Sequence, residues 1–253
     1  TLDAETTALV IQQPNFFGCL EDVAALTTIA HEAGALSILA FDAVSPGLLK
    51  KPADYGVDIA VAEGQPLGTP LQYGGPLLGI FTCRNEYVRK MPGRLIGKTT
   101  DRKGKDCFAL NLQAREQHIR RDKATSNICT NQGLLALRTT VFLATVGPRG
   151  MKQMATLSHQ KARYAAELLT KIPGVRLKFP QQFFREFLLQ TPKPATEVIA
   201  ALADKGINVG PDLVRFEMTN VDGWQNCFLV ALTEKRTRGE IEALAKALKE
   251  VVT

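Results

Sequence analysis

The sequence predicts an α/β protein, with part of a large domain built on a mainly parallel sheet over residues 1–148 and a small α+β domain over 149–253. Three observations predict this. Strand, helix and strand follow one another within the first 40 or so residues, which is a βαβ unit with parallel strands and a right-handed crossover. Gly147-Pro148-Arg149-Gly150 interrupts a helical pattern in mid-chain. Beyond it, shorter strands alternate with amphipathic helices.

The elements follow from local patterns. Ala8-Leu9-Val10-Ile11-Gln12 is a short apolar run, and Gln13-Pro14-Asn15-Phe16-Phe17-Gly18 breaks it. Val23, Leu26, Ile29 and Ala30 recur at helical spacing from about Asp22 to Ala33. Gly34 stands where a helix C-terminal cap belongs. Leu36–Phe41 is a continuous apolar strand ending in Asp42. Residues 54–62 read as a further strand, a Gly/Pro-rich loop spans 63–76, and 77–83 returns as a strand. The charged stretch from Lys98 to Asp106 reads as a mobile loop. A helix over 132–146 has Leu134, Leu135, Leu137, Val141 and Phe142 as its apolar side, and the Gly-Pro segment stops it. Then come a long helix to about Lys171, strands near 175–179 and 184–190, and a helix over 195–205. Strands near 207–209 and 227–232 precede a final helix, Arg238 to Val252. The first strand opens almost at Thr1, so the residues are expected to be a fragment, a truncation or one part of a split protein.

Bulk properties narrow the class. With 253 residues, 45% hydrophobic and 22% charged, the composition suits a soluble protein with a sizeable core. No apolar run approaches the roughly 18 residues that span a bilayer, and Thr1-Leu2-Asp3-Ala4-Glu5 does not open a signal peptide. Cys19, Cys83, Cys107, Cys129 and Cys227 are odd in number and none has CxxC spacing, which disfavours a zinc site or a disulfide framework and fits a cytoplasmic setting. The net charge of +6 is concentrated between Arg84 and Lys123, where twelve lysines and arginines meet five acids. Such a segment suits phosphate, nucleic acid, an acidic protein or plain solvent. No aromatic interleaving or nucleic-acid motif accompanies it, which argues against nucleic acid.

Few residues stand out for chemistry. Asp42 follows the carboxyl end of a buried parallel strand, where open α/β sheets bind ligands. A carboxylate there can pair with a protonated pyridine nitrogen, or it can simply cap the turn toward Ser45-Pro46. The 64–76 loop lacks the Gly-Lys-Ser or Gly-Lys-Thr ending of a P-loop. The stretch Arg115 to Gln132 is dense in hydrogen-bonding groups, and Ser126, Asn127, Thr130 and Asn131 also suit the cap of the next helix. His31 and His159 lack partners at metal-ligand spacing, so both read as structural. No Gly-x-Ser-x-Gly elbow or catalytic triad is visible.

Three blocks carry a family resemblance. Ala40-Phe41-Asp42-Ala43, Gly56-Val57-Asp58-Ile59-Ala60-Val61-Ala62-Glu63-Gly64-Gln65 and Tyr73-Gly74-Gly75-Pro76-Leu77-Leu78-Gly79 resemble glycine decarboxylase, the P-protein of the glycine cleavage system. Arg115-Glu116-Gln117-His118-Ile119-Arg120-Arg121 and Ala124-Thr125-Ser126-Asn127-Ile128-Cys129-Thr130-Asn131-Gln132 strengthen the match, and the chain resembles subunit 1 of the two-subunit bacterial form. The resemblance implies a fold-type-I pyridoxal-phosphate architecture. It also implies a reaction in which glycine joins the cofactor, loses carbon dioxide and passes its aminomethyl group to the lipoyl arm of H-protein.

One departure from the family pattern governs the role. Cofactor-binding subunits carry a His-Lys-Thr run shortly before a Gly-rich stretch and a proline, and that lysine forms the Schiff base. Counting back from Pro76 places it at Gln65, and counting forward from Gly56 places it at Pro66. No lysine lies between Lys51 and Lys90. The resemblance thus implies a supporting subunit with no catalytic residue and no covalent cofactor of its own, Asp42 keeping the position of the ring-nitrogen partner. It implies pyridoxal phosphate on a lysine-bearing subunit 2, lipoyl H-protein as partner, glycine as substrate of the complex and an α2β2 assembly, with neither a metal nor a membrane. His118, Arg121, Ser126, Asn127, Thr130 and Asn131 are the candidates for a shared pocket or interface. An assembly protein that keeps the fold, and an active aminotransferase or lyase using another lysine, are the alternatives.

Overall fold

The computed structural model describes residues 2–71, 74–75, 77–112, 116–124, 132–216 and 223–253. Strand β1 (Ala8–Gln13) leads into helix α1 (Val23–Glu32) and back to strand β2 (Leu36–Phe41). β1 and β2 are parallel, with Ala8 opposite Leu36 and Gln13 opposite Phe41. Asp22 starts α1 by accepting the Ala25 N–H at 3.1 Å, and Gly34 ends it at φ +75°, a left-handed turn that glycine makes without a Cβ penalty. Val23, Thr27 and Ala30 form its buried face. Strand β3 (Ile59–Glu63) pairs parallel to β2, and β4 (Gly79–Cys83) pairs antiparallel to β3, in the order β1-β2-β3-β4. Ile11, Val23, Leu39, Val57 and Ala60 form the core between sheet and helix.

Two local readings in this half need correction. Residues 52–55 form a 3-10 turn rather than the start of a strand, because Pro52 sets its entry and Gly56 at φ +77° its exit. The supposed mobile loop from Lys98 to Asp106 is the tip of a hairpin, β5 (Leu95–Thr100) with β6 (Asp106–Asn111). Asp101 and Gly104 hold the first and fourth positions of its turn, the Asp101 carboxylate accepts the Lys103 and Lys105 N–H groups, and Lys98 pairs with Asp106 at 2.8 Å. After the short helix α2 (Gln117–Arg120), the helical stretch α3 (Gly133–Leu169) is two helices joined at Gly147, the interruption that the Gly-Pro segment predicts. Gly147 leaves helical geometry at φ +57°, and Pro148, which brings no N–H, opens the second helix.

Strand β7 (Arg176–Leu177) pairs antiparallel with β8 (Glu186–Gln190), and helix α4 (Ala195–Asp204) follows. β8 pairs antiparallel with β9 (Cys227–Ala231), and helix α5 (Arg238–Val252) ends the chain. Residues 207–209 run beside β9 without forming a strand. Gly210 donates to the Leu229 carbonyl and Leu229 to that of Pro211, but Pro211 has no N–H to continue a ladder. Ala162, Ala165, Leu169, Leu189, Val198, Leu202, Phe228 and Leu248 are among the buried residues that join this sheet to the helices.

The two sheets meet at Phe16-Phe17-Gly18. Phe17 packs on Trp224 and Phe179 with ring centroids 5.3 and 5.1 Å apart. Phe184 donates its N–H to the Gly18 carbonyl, and Leu20 donates to Gln182. At the other end of the parallel sheet, Asp58 is buried and accepts from the Ser37 N–H at 2.8 Å and the Ser37 hydroxyl at 3.2 Å, with His31 Nε2 at 2.8 Å and Arg84 Nε at 3.3 Å.

Candidate functional site

The carboxyl ends of the parallel strands face the opening of the small sheet, and two cavities lie between them. The first, about 570 Å³, is lined by Gln12, Asn15, Phe16, Asp42, Glu63, Arg185 and Glu186 among others. The second, about 500 Å³, is lined by Gln65, Pro66, Thr69 and residues 231–236. Arg185 and Glu186 line both. The site thus sits where an open α/β sheet is expected to bind a ligand.

Asp42 has its full set of partners. One carboxylate oxygen accepts the Val44 N–H at 2.7 Å and the Ser45 N–H at 3.1 Å, as the turn-capping alternative requires. The other lies 2.5 Å from Arg185 Nη2, with both side chains about 15% exposed. The Arg185 Nε is buried and has no hydrogen-bond partner among the described residues. Burial pushes the neighbouring Glu186 carboxyl above the usual carboxylate range, the Arg185 guanidinium opposes this, and the Asp42 charge adds to it.

The raised Glu186 value has a measurable consequence. An acid with a folded pKa above its unfolded value of about 4.3 carries no penalty below that pH. The penalty grows as pH rises from the unfolded toward the folded value. Glu186→Gln should therefore raise the melting temperature at pH 8. The gain should vanish below about pH 4. A melting temperature unchanged at pH 8 would contradict this.

The loop that carries Gln65 and Pro66, the two positions counted for the lysine, is tied to itself and to α3. Gln65 donates from Nε2 to the Thr69 carbonyl at 2.5 Å, and its backbone N–H goes to Glu63 Oε1 at 2.9 Å. Glu63 Oε1 also accepts the Leu78 N–H at 2.9 Å. Thr139 of α3 donates to the Leu67 carbonyl at 3.0 Å. Gly68, at φ +98°, lies where a Cβ would come within 2.7 Å of Phe142 Cβ. Pro66 carries no amine. The second cavity has one lysine among its described lining residues, the exposed Lys235, on the segment after β9.

The remaining candidates are not gathered here. His118 is 56% exposed on α2, 3.8 Å from Glu116, and Arg121 is exposed on the turn after it. Neither is among the lining residues of the two cavities. Ser126, Asn127, Thr130 and Asn131 lie outside the described residues. His31 binds Asp58, and His159 Nδ1 lies 2.9 Å from the Phe184 carbonyl. Sequence reasoning missed Arg185 and Glu186. Their signal was an adjacent charged pair within the apolar run Phe183-Phe184-Arg185-Glu186-Phe187.

A pyridoxal-phosphate site needs an amine in the slot and a carboxylate free to meet the ring nitrogen. At the two counted positions the described residues offer a hydrogen-bonded amide and a proline, and Asp42 is already held by a guanidinium, so they do not fit the cofactor. Among the described residues no cluster of ligating side chains could hold a metal ion, and no helix is long and apolar enough to cross a membrane.

Comparison with known proteins places the fold. The model of the glycine cleavage system P-protein family matches residues 1–248. The probable glycine dehydrogenase (decarboxylating) subunit 1 of Chlorobium limicola is 52% identical over 98% of this chain and 54% of its own length. That of Geotalea daltonii is 48% identical over 98% of this chain and 55% of its own length. The chain spans about half the length of the curated relatives it matches. The crystal structure of an inhibitor-bound glycine decarboxylase (P-protein) superposes with a TM-score of 0.90 at 43% identity, over 98% of this chain and 56% of that one. A sphingosine-1-phosphate lyase from Burkholderia pseudomallei, at 18% identity, TM-score 0.68 and coverage of 100% and 53%, shares the fold alone. The architecture is that of the fold-type-I pyridoxal-phosphate-dependent enzymes. From its family match and its structure, the chain belongs to the glycine cleavage system P-protein family.

Proposed function

We propose that this chain is part of the supporting subunit of a glycine dehydrogenase (decarboxylating), the subunit that does not carry the cofactor. The observation that carries the reading is that Gln65, bonded to Thr69, and Pro66 stand at the two positions counted for the lysine, and neither can form a Schiff base. In this reading pyridoxal phosphate sits on a lysine-bearing subunit 2. The assembly is a cytoplasmic α2β2 heterotetramer that decarboxylates glycine and passes the aminomethyl group to lipoyl H-protein. The names of the curated relatives, as subunit 1, support a partner subunit.

A surface for that partner is supported by the apolar residues Leu134, Leu137 and Val141. They lie at helical spacing on α3 and are 58–78% exposed. We assign His118, Arg121, Ser126, Asn127, Thr130 and Asn131 to the shared interface or pocket on the strength of the motif block that contains them. The domain boundary is placed at residues 148/149, a division supported by the break at Gly147 and by the separate core of the C-terminal sheet.

Borohydride trapping tests the reading. The purified full-length subunit, incubated with pyridoxal phosphate and reduced, should give no labelled lysine peptide, including the one containing Lys235. A stoichiometric label on any lysine of this subunit would overturn the assignment.

A further inference from the structure

The position of Arg185 carries an inference about why the cleft does not take the cofactor, and it rests on the reading of Gln65 as the lysine slot. We propose that Arg185 is an internal plug: its guanidinium occupies the place on Asp42 that a ligand cation would take, and the pair divides the cleft in two. Asp42 lines the first cavity and not the second, Gln65 lines the second and not the first, and Arg185 and Glu186 line both. A ring bonded to position 65 and meeting Asp42 would have to pass through that wall.

The geometry gives the plug its strength. Arg185 enters from the segment just before β8, on the far side of the cleft from Asp42 at the end of β2. The 2.5 Å contact between two largely buried groups is a charge-assisted bond at low local dielectric. The Val44 and Ser45 N–H groups fix the carboxylate from the other side, so it cannot turn away from Arg185 without losing them. The backbone behind Arg185 is held as well. Phe184 donates to the Gly18 carbonyl, and a Cβ at Gly18 would lie 1.9 Å from the Glu186 carbonyl oxygen, so the segment has no room to back out. The loss of the lysine and the capture of Asp42 are therefore two separate changes, and restoring an amine alone should not restore the site.

Two variants of the full-length subunit, assembled with its partner, test this. Both are incubated with pyridoxal phosphate, reduced with borohydride and digested, and the peptide containing position 65 is read by mass. Gln65→Lys alone should carry no more label at that peptide than wild type. Gln65→Lys with Arg185→Gln should carry at least several-fold more, because Asp42 is then free and the wall is open. Arg185→Met serves in the pair if the glutamine variant does not fold. Equal labelling of the single and double variants would overturn the plug, and so would stoichiometric labelling of Gln65→Lys alone. Label on a lysine of the wild-type subunit would instead overturn the supporting-subunit reading, so the two failures are distinct.

Discussion

Asp58→Ala should lower the stability of the fold by about 3 kcal/mol, measured by denaturant unfolding. Asp58 lies at the start of β3 and is 4% exposed. Its carboxylate is the acceptor for groups from three elements: Ser37 of β2, His31 of α1 and Arg84 after β4. Truncation leaves the Ser37 N–H buried without its acceptor and breaks the tie between helix and sheet. Burial acts against the charged carboxyl, but the Ser37 N–H, His31 and the Ser37 hydroxyl more than offset it, so the group is held below the usual carboxylate range. The sign follows. The contribution of Asp58 is fully present above its unfolded value of about 3.9 and is lost as pH falls toward the folded value. The gap between wild type and Asp58→Ala should narrow below about pH 4. A pH-independent gap would assign the loss to packing alone.

Gly18→Ala should cost at least about 3 kcal/mol, although it adds one methyl group. The residue sits at φ +81°, and the new Cβ would lie 1.9 Å from the Glu186 carbonyl oxygen and 2.4 Å from its carbon. Both are backbone atoms, so no rotamer change relieves the overlap, and either the 16–20 turn or the start of β8 must move. That movement separates Phe17 from Trp224 and shifts Arg185 against Asp42. Gly34→Ala is the matched control. Gly34 has a similar φ of +75° with open space around it, so it should lose only about 1 kcal/mol, the conformational part. Equal losses at the two positions would show that the close approach to β8 contributes nothing.

Much of the fold is legible in the sequence where local pattern and tertiary need agree. β1, α1 and β2 are marked by apolar runs and by caps at Asp22 and Gly34, and α5 by its stripe and the Thr237–Glu240 capping box. The hairpin of β5 and β6 was obscured because its charged turn dominates the stretch and its strands expose apolar Ile96 and Phe108, so no polar-out alternation marks them. The turn residues Asp101 and Gly104 were the better signal. In α3 the apolar spacing marks a helix correctly, yet Leu134, Leu137 and Val141 lie on the surface and only Leu135 of that group is buried. Periodicity identifies a face without saying what covers it. The place of Asp42 at the mouth of the cleft was legible because it follows the carboxyl end of a parallel strand. Arg185 was not, since its partner is 143 positions away and only folding brings the two together.

The most direct test of the supporting role is release of labelled carbon dioxide from carboxyl-labelled glycine, with lipoyl H-protein and pyridoxal phosphate supplied throughout. The full-length subunit alone should release none above background, and neither should the lysine-bearing subunit alone, whereas the two together should be active. Release by this subunit alone, or full activity of the lysine-bearing subunit without it, would contradict the account.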